Sequence, residues 1–352
     1  MNSYLKTNWF FRSMGALALP LAILASGCLP EYEELPLTAT GEGGESLTGT
    51  TSSGSTSSVA PTCSGAASGS IPGTPSLDGQ IPCTLQGSID ARNLTPSQRT
   101  QVAGIKVLKG TLTVASAEQI GYLKALTSVD SLYIPNFSGP ALELPARIAV
   151  TTEVVIQGGT TPIIKGFAGV TALAGQLNIE SINGLTAIDA FGALTKAEML
   201  RLYKLPELTS VKGFGAVGQL KGLQITHLAK LKTLPSLPKV TTLSSLYIGY
   251  NPELTTLSGL NALTNAATAQ FASLDKVSQV SFPALMTVSS FVIDGMALLN
   301  TLEGFGAQLV VSSQLQICNI LMKADQREVW RLKHAPNVPF AKCANGCIGM
   351  GC

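Results

Sequence analysis

Residues 200–222 read LRLYKLPELTSVKGFGAVGQLKG, residues 223–245 read LQITHLAKLKTLPSLPKVTTLSS, and residues 246–263 read LYIGYNPELTTLSGLNAL. The three lines share a spacing rather than residues. Apolar pairs fall at Leu177/Ile179, Leu200/Leu202, Leu223/Ile225 and Leu246/Ile248, each 23 residues after the last. Four more columns keep the same step: Leu185, Leu208, Leu231 and Leu254; Ile188, Val211, Leu234 and Leu257; Phe191, Phe214, Leu237 and Leu260; and Leu194, Val217, Val240 and Leu263. One such unit cannot bury its own apolar side. Stacking copies of it makes a continuous core, which is the physics of a solenoid. The L-x-I pair alternates in and out as a strand does. Pro206, Pro235, Pro238 and Pro252, with Gly213, Gly222 and Gly259, interrupt any helical reading of the rest.

Weaker copies flank this centre. Leu112/Val114 carries Ile120, Leu123, Leu126 and Val129 at the same offsets, and Leu132/Ile134 and Val154/Ile156 follow. Phe291/Ile293 has Leu299, Leu302 and Phe305 behind it, and Leu315/Ile317 closes the series. The expected fold is mainly β, a leucine-rich solenoid of about ten coils of roughly 23 residues. At a coil spacing of about 4.8 Å the body is roughly 50 Å long.

The phrases LTSVKGFGAVGQLKGLQI (208–225) and LYIGYNPELTTLSGLNAL (246–263) resemble the receptor L domain, the leucine-rich right-handed β-helix of the insulin and epidermal growth factor receptor ectodomains. The resemblance implies a right-handed β-helix and, because the shared residues are core residues, no particular function. The turn asparagine of that pattern stands at Asn251 but is Leu205 and Leu228 in the preceding coils, and the units around 140–165 and 266–290 are irregular. A generic leucine-rich-repeat protein is the structural alternative.

A solenoid needs caps at its ends, since a terminal coil otherwise presents an open edge. Thr95 followed by Pro96 fits a helix start. In KADQREVWRLKHAP (323–336), Asp325 and Glu328 have capping-box spacing and Pro336 ends the helix, with Val329, Trp330 and Leu332 expected over the last coil.

Before the solenoid the chain changes character. Residues 1–27 read as an export signal, with Lys6 and Arg12 ahead of a short apolar run. The end of that run, ILASGC, resembles the lipobox of bacterial lipoproteins, which implies cleavage before Cys28 and a lipid on its sulfur. Residues 28–82 are rich in Gly, Ser, Thr and Pro and read as a flexible tether. The solenoid then spans 83–320, and 321–352 form a helical cap and cysteine-rich tail. Together these imply an exported protein, lipid-anchored in the bacterial envelope at the outer membrane.

If Cys28 carries lipid, six cysteines remain: Cys63, Cys83, Cys318, Cys343, Cys347 and Cys352. An even remainder in an exported chain suggests disulfides. Cys63 pairs naturally with Cys83, and the other four among themselves in any of three ways. A four-cysteine zinc site is the alternative, disfavoured because an oxidising compartment keeps thiolates poorly. No metal and no cofactor is therefore expected.

Charged residues make up 12% of the chain and the net charge is +2, too little to suggest nucleic acid as a partner. No nucleophile elbow, zinc-peptidase helix or phosphate loop occurs, and the two histidines, His227 and His334, read as an exposed turn and a helix C-terminus. A non-enzyme is expected, with a polysaccharide-active β-helix enzyme the less favoured reading. Strand alternation instead presents Arg201, Gln224 and Tyr247 outward in one column and Tyr203 in the next. Arg and aromatic residues are the types enriched at binding hot spots. Lys204, Lys221 and Lys230 add positive charge, which suggests a protein or an anionic glycan as ligand. The alternative function is a structural spacer that associates with copies of itself.

Overall fold

A computed structural model describes residues 83–338 throughout and the backbone of three short strands, Ala66–Ser68, Ala341–Lys342 and Ile348–Gly349. Residues 1–27, read above as an export signal, and Cys28, Cys63, Cys343, Cys347 and Cys352 lie outside the described residues.

The chain is a β-solenoid. One strand from each coil joins a 15-stranded sheet in which successive coils are neighbours in space up to Val310–Ile317, and Ile348–Gly349 and then Ala341–Lys342 add to that end antiparallel. Its central strands are Gln176–Glu180, Lys196–Tyr203, Gln219–Thr226, Thr242–Gly249 and Asn265–Ala272, all parallel. The register is the one the 23-residue step demands: Leu177, Leu200, Leu223 and Leu246 pair in series. A second, four-stranded sheet of Leu142–Leu144, Ile163–Gly166, Ala187–Ala190 and Ser210–Lys212 forms another side of the coil. Thr256–Leu257 and Gln279–Val280 make a two-stranded continuation.

The five apolar columns line the interior. Every member is buried except Val211, which is partly buried and packs against the core. Phe167, Phe191 and Phe214 stack in series, with ring centroids 4.7 and 5.9 Å apart. The irregular units keep the ladder by changing coil length: Asn265 pairs with Thr287, a step of 22 rather than 23 residues.

A left-handed residue ends the strand in each central coil. Ser181, Lys204, His227, Tyr250 and Ser273 have φ of 55, 50, 60, 55 and 52°. Each directs its N–H to a carbonyl of the next coil: Tyr203, Thr226, Gly249, Ala272 and Asp294 respectively. That bond fixes a conformation costly for a residue with a Cβ, and the reversal sends the following residue (Leu205, Leu228, Asn251 or Leu274) inward, where it is buried.

The caps differ in part from expectation. Helix α1 (Pro96–Val102) starts as read, with Thr95 accepting from the Gln98 N–H and Gln98 returning the bond. A short helix α2 (Ala117–Gly121), capped by Ser116, was not foreseen. Helix α3 (Ala324–His334) begins after Lys323, so Asp325 lies in its first turn and the Gln326 side chain, not Glu328, accepts from the Lys323 N–H. Trp330 packs on Phe291 at 5.8 Å, but Val329 and Leu332 are 67% and 55% exposed. The buried stripe is Arg327, Trp330, Arg331 and His334, the i, i+3, i+4, i+7 face, with two arginine stems serving as packing surface. The sheet also begins earlier than the tether boundary at residue 82 implies: Ala66–Ser68 pairs in parallel with Thr84–Gln86. An edge strand is a template for any extended segment that reaches it, whatever that segment's polarity.

Candidate functional site

The outer face of the long sheet carries the candidate residues. Backbone pairing puts Asn178, Arg201, Gln224, Tyr247 and Gln270 side by side on five neighbouring strands. Arg201, Gln224, Tyr247 and Gln270 are half-buried, so this column is the open one.

The next column is not open. Tyr203, expected outward, is 5% exposed, and Thr226 is buried as well. The cause is crowding by neighbours in its own coil and by one residue of the next. The Arg201 guanidinium sits 4.3 Å from the Tyr203 ring centre, and the Lys204 ammonium 5.2 Å from it. His227 meets the same ring edge-on at 5.3 Å and stacks on Tyr250 at 4.6 Å. His227 is thus half-buried in an aromatic row rather than standing in an exposed turn. The row arises because Lys204, His227 and Tyr250 occupy the repeating left-handed position.

The positive charge is answered one coil away. Arg201 Nη1 donates to Glu180 Oε2 at 2.6 Å. Lys221 pairs with Glu198 and Lys230 with Glu207. Counting charges within residues 201–250 gives a basic excess. The fold brings Glu180 and Glu198 alongside and reduces it.

Tyr247 has a specific seat. A Cβ at Gly249 would stand 3.2 Å from Tyr247 Cε2 and 3.3 Å from its Oη, so the phenol lies along its own strand over the glycine. Beneath the turn, Asn251 is fully buried. Its Oδ1 accepts from the Leu228 N–H and its Nδ2 donates to the Ile225 carbonyl, both at 2.9 Å, tying two coils together.

At the far end of the solenoid a cleft of about 700 Å³ lies between the 300–307 turn and α3, with Phe305, Met322 and Trp330 in its walls. His334 is here too, and it is buried instead of sitting as a cation at an open helix end. Its Nδ1 is 2.7 Å from the Leu309 carbonyl and so must be the donor. Burial holds its pKa below the usual imidazole value.

Among the described residues no group of three or more His, Cys, Asp or Glu is placed to hold a metal, and no helix is long and apolar enough to cross a membrane. Cys83 and Cys318 are the two cysteines among the described residues. They stand at opposite ends of the long sheet, too far apart to bond one another. Set beside known proteins, the chain matches no family model, no curated protein and no solved structure. What fold and face define is a β-solenoid carrying a polar and aromatic strip across its coils.

Proposed function

We propose that this is an exported envelope lipoprotein, similar in architecture to the receptor L domain, whose solenoid face holds a protein or glycan partner without catalysis. The observation that carries the reading is the single-file register of Arg201, Gln224 and Tyr247 on adjacent strands. A partner lying across the coils meets all three at once, and Arg and Tyr are hot-spot residues. The anchor follows from the lipobox-like ILASGC at Cys28, and Cys63–Cys83 is the disulfide that fits best beside the paired strands Ala66–Ser68 and Thr84–Gln86. The test is a screen of glycans and envelope extract against the full chain, repeated with Gln224→Ala/Tyr247→Ala. Binding that survives this double change at undiminished affinity moves the site off the face.

A second reading, a self-associating spacer, has its own support. Among the described residues all six exposed large apolar side chains lie between Met286 and Leu332, at the C-terminal end of the solenoid. Sedimentation of the wild-type chain beside Val329→Glu/Leu332→Glu tests it: an oligomer that the double variant dissociates favours the spacer.

A further inference from the structure

We infer that the C-terminal end of the solenoid is the interface of a closed dimer, in which α3 packs antiparallel on α3 of a second copy about a two-fold axis at Val329. This rests on the reading of that end as a self-association surface and gives it a partner, a register and a stoichiometry.

The helix has two faces. Arg327, Trp330, Arg331 and His334 are buried against the last coil. Arg327 Nη1 donates to the Ile317 carbonyl, His334 Nδ1 to the Leu309 carbonyl, and Trp330 stacks on Phe291. These contacts turn the opposite face away from the coils. On that outer face Asp325, Val329, Leu332 and Lys333 are all exposed, at the i, i+4, i+7 and i+8 positions of one stripe. Exposed apolar residues scattered singly are ordinary on a surface, whereas a contiguous pair such as Val329 and Leu332, rimmed by polar groups, marks an interaction site. The cleft beside α3 is bordered by Asp325, Val329 and Lys333, so the last coil leaves room for a second chain to approach them.

Charge selects the partner. Elsewhere on the solenoid Lys221, Lys230 and Lys276 each pair with a carboxylate one coil away. Among the described residues neither Asp325 nor Lys333 forms an ion pair. Val329 lies midway between them, four residues from each. An antiparallel pair of helices centred on Val329 therefore sets Asp325 of each copy opposite Lys333 of the other, with the two valines and two leucines between. A parallel pair would set like charges together, which is repulsive. The antiparallel pair also lays each helix's positive N-terminal end beside the other's negative C-terminal end.

Such an interface uses the same patch on both copies, so it closes at two and builds no filament. Because the outer face of α3 points away from the coils, the solenoids meet end to end. The chain enters each one at the far end of the long sheet, through Thr84–Gln86. At about 4.8 Å per coil each body is roughly 50 Å long, and the two points of entry stand roughly 100 Å apart. That separation is what a spacer supplies.

Sedimentation equilibrium of the full chain should give monomer and dimer with no larger species. By symmetry each single charge reversal enters the interface twice, so Asp325→Lys and Lys333→Asp should each weaken the dimer at least tenfold. Mixed in equal amounts, the two variants should recover it to within about threefold of wild type, because each copy then meets opposite charge at both ends of the helix. Recovery on mixing also shows that both variants are folded. Lys124→Asp, near the other end of the solenoid, should change nothing. A dimer that Val329→Glu/Leu332→Glu dissociates, but that the single reversals leave intact or that mixing does not restore, overturns the register and keeps the self-association reading. Open-ended oligomers overturn the two-fold. A dimer indifferent to every one of these changes, or a chain that stays monomeric, overturns the inference and the self-association reading together.

Discussion

Leu223 offers the sharpest test of the coil register. It is buried between Leu200 and Leu246, its partners on the strands either side. Changing it to Ala removes three carbon centres from the core, a transfer term of about 2.4 kcal/mol at ~0.8 kcal/mol per methylene. A cavity term adds to this, because the hydrogen-bonded ladder fixes the strand spacing and keeps Leu200 and Leu246 from closing on the gap. The sum should fall at about 3–5 kcal/mol, the upper part of the range for buried leucine truncation. Gln224→Ala, one residue along and on the opposite face, should cost under about 0.5 kcal/mol. Urea titrations followed by far-ultraviolet circular dichroism and by fluorescence give both values. Coincidence of the two probes checks that the solenoid melts as one unit, which repeat arrays do not always do. A Leu223→Ala penalty under about 1 kcal/mol, or equal penalties for the two changes, would refute the register argument.

Other outcomes follow from the same structure. Asn251→Leu should cost about 1–3 kcal/mol in the same titration, because the buried Leu228 N–H and Ile225 carbonyl lose their partners; a neutral result would mean the coils close without the amide. His334 is kept neutral by burial in the folded chain, so its contribution is intact above the unfolded imidazole pKa of about 6.5 and declines as pH falls below it. The urea midpoint should therefore drop between pH 7.5 and 5.5, and His334→Gln, which can still donate to the Leu309 carbonyl, should flatten that drop; an equal drop in both proteins assigns it elsewhere. Lys230→Ala, which breaks an exposed pair with Glu207, should shift stability by no more than about 0.5 kcal/mol. Cys28→Ser should move the protein from the membrane to the soluble fraction, and intact mass should show the wild-type mature chain beginning at a lipidated Cys28; a mature chain with an unmodified cysteine sinks the anchor.

The fold was legible because burial and sequence step coincide: a residue 23 places on from a buried leucine is another buried residue, coil after coil. Strand alternation likewise placed Arg201, Gln224 and Tyr247 correctly. Alternation failed at Tyr203 because it tells which side of a sheet a residue faces and not what leans over it. There the covering groups come from Arg201, Lys204 and the next coil's His227. Charge counting failed for the same reason, since Glu180 and Glu198 pair with cations more than twenty residues away in sequence. In α3 the apolar residues misled. Val329 and Leu332 pattern as a core face, yet Arg327, Trp330, Arg331 and His334 form the contiguous stripe, and the indole decides which side turns inward. The Gly249 seat for Tyr247 was not legible at all, because a strand glycine gives no sign of which neighbour uses its space.

The recurring left-handed turn has a consequence for how such a protein can change. At Ser181, Lys204, His227, Tyr250 and Ser273 the backbone conformation is held by a bond from the N–H to the next coil, and five positions accommodate four different side chains. None of these side chains belongs to the apolar core. Substitution there rewrites a row of surface chemistry, one residue per coil, without touching the residues that make the coils stack. Descendants of this chain can therefore diverge in what they display along that row while remaining superimposable in fold, and rapid divergence at this position beside near-constancy in the leucine columns is the evolutionary signature the architecture permits.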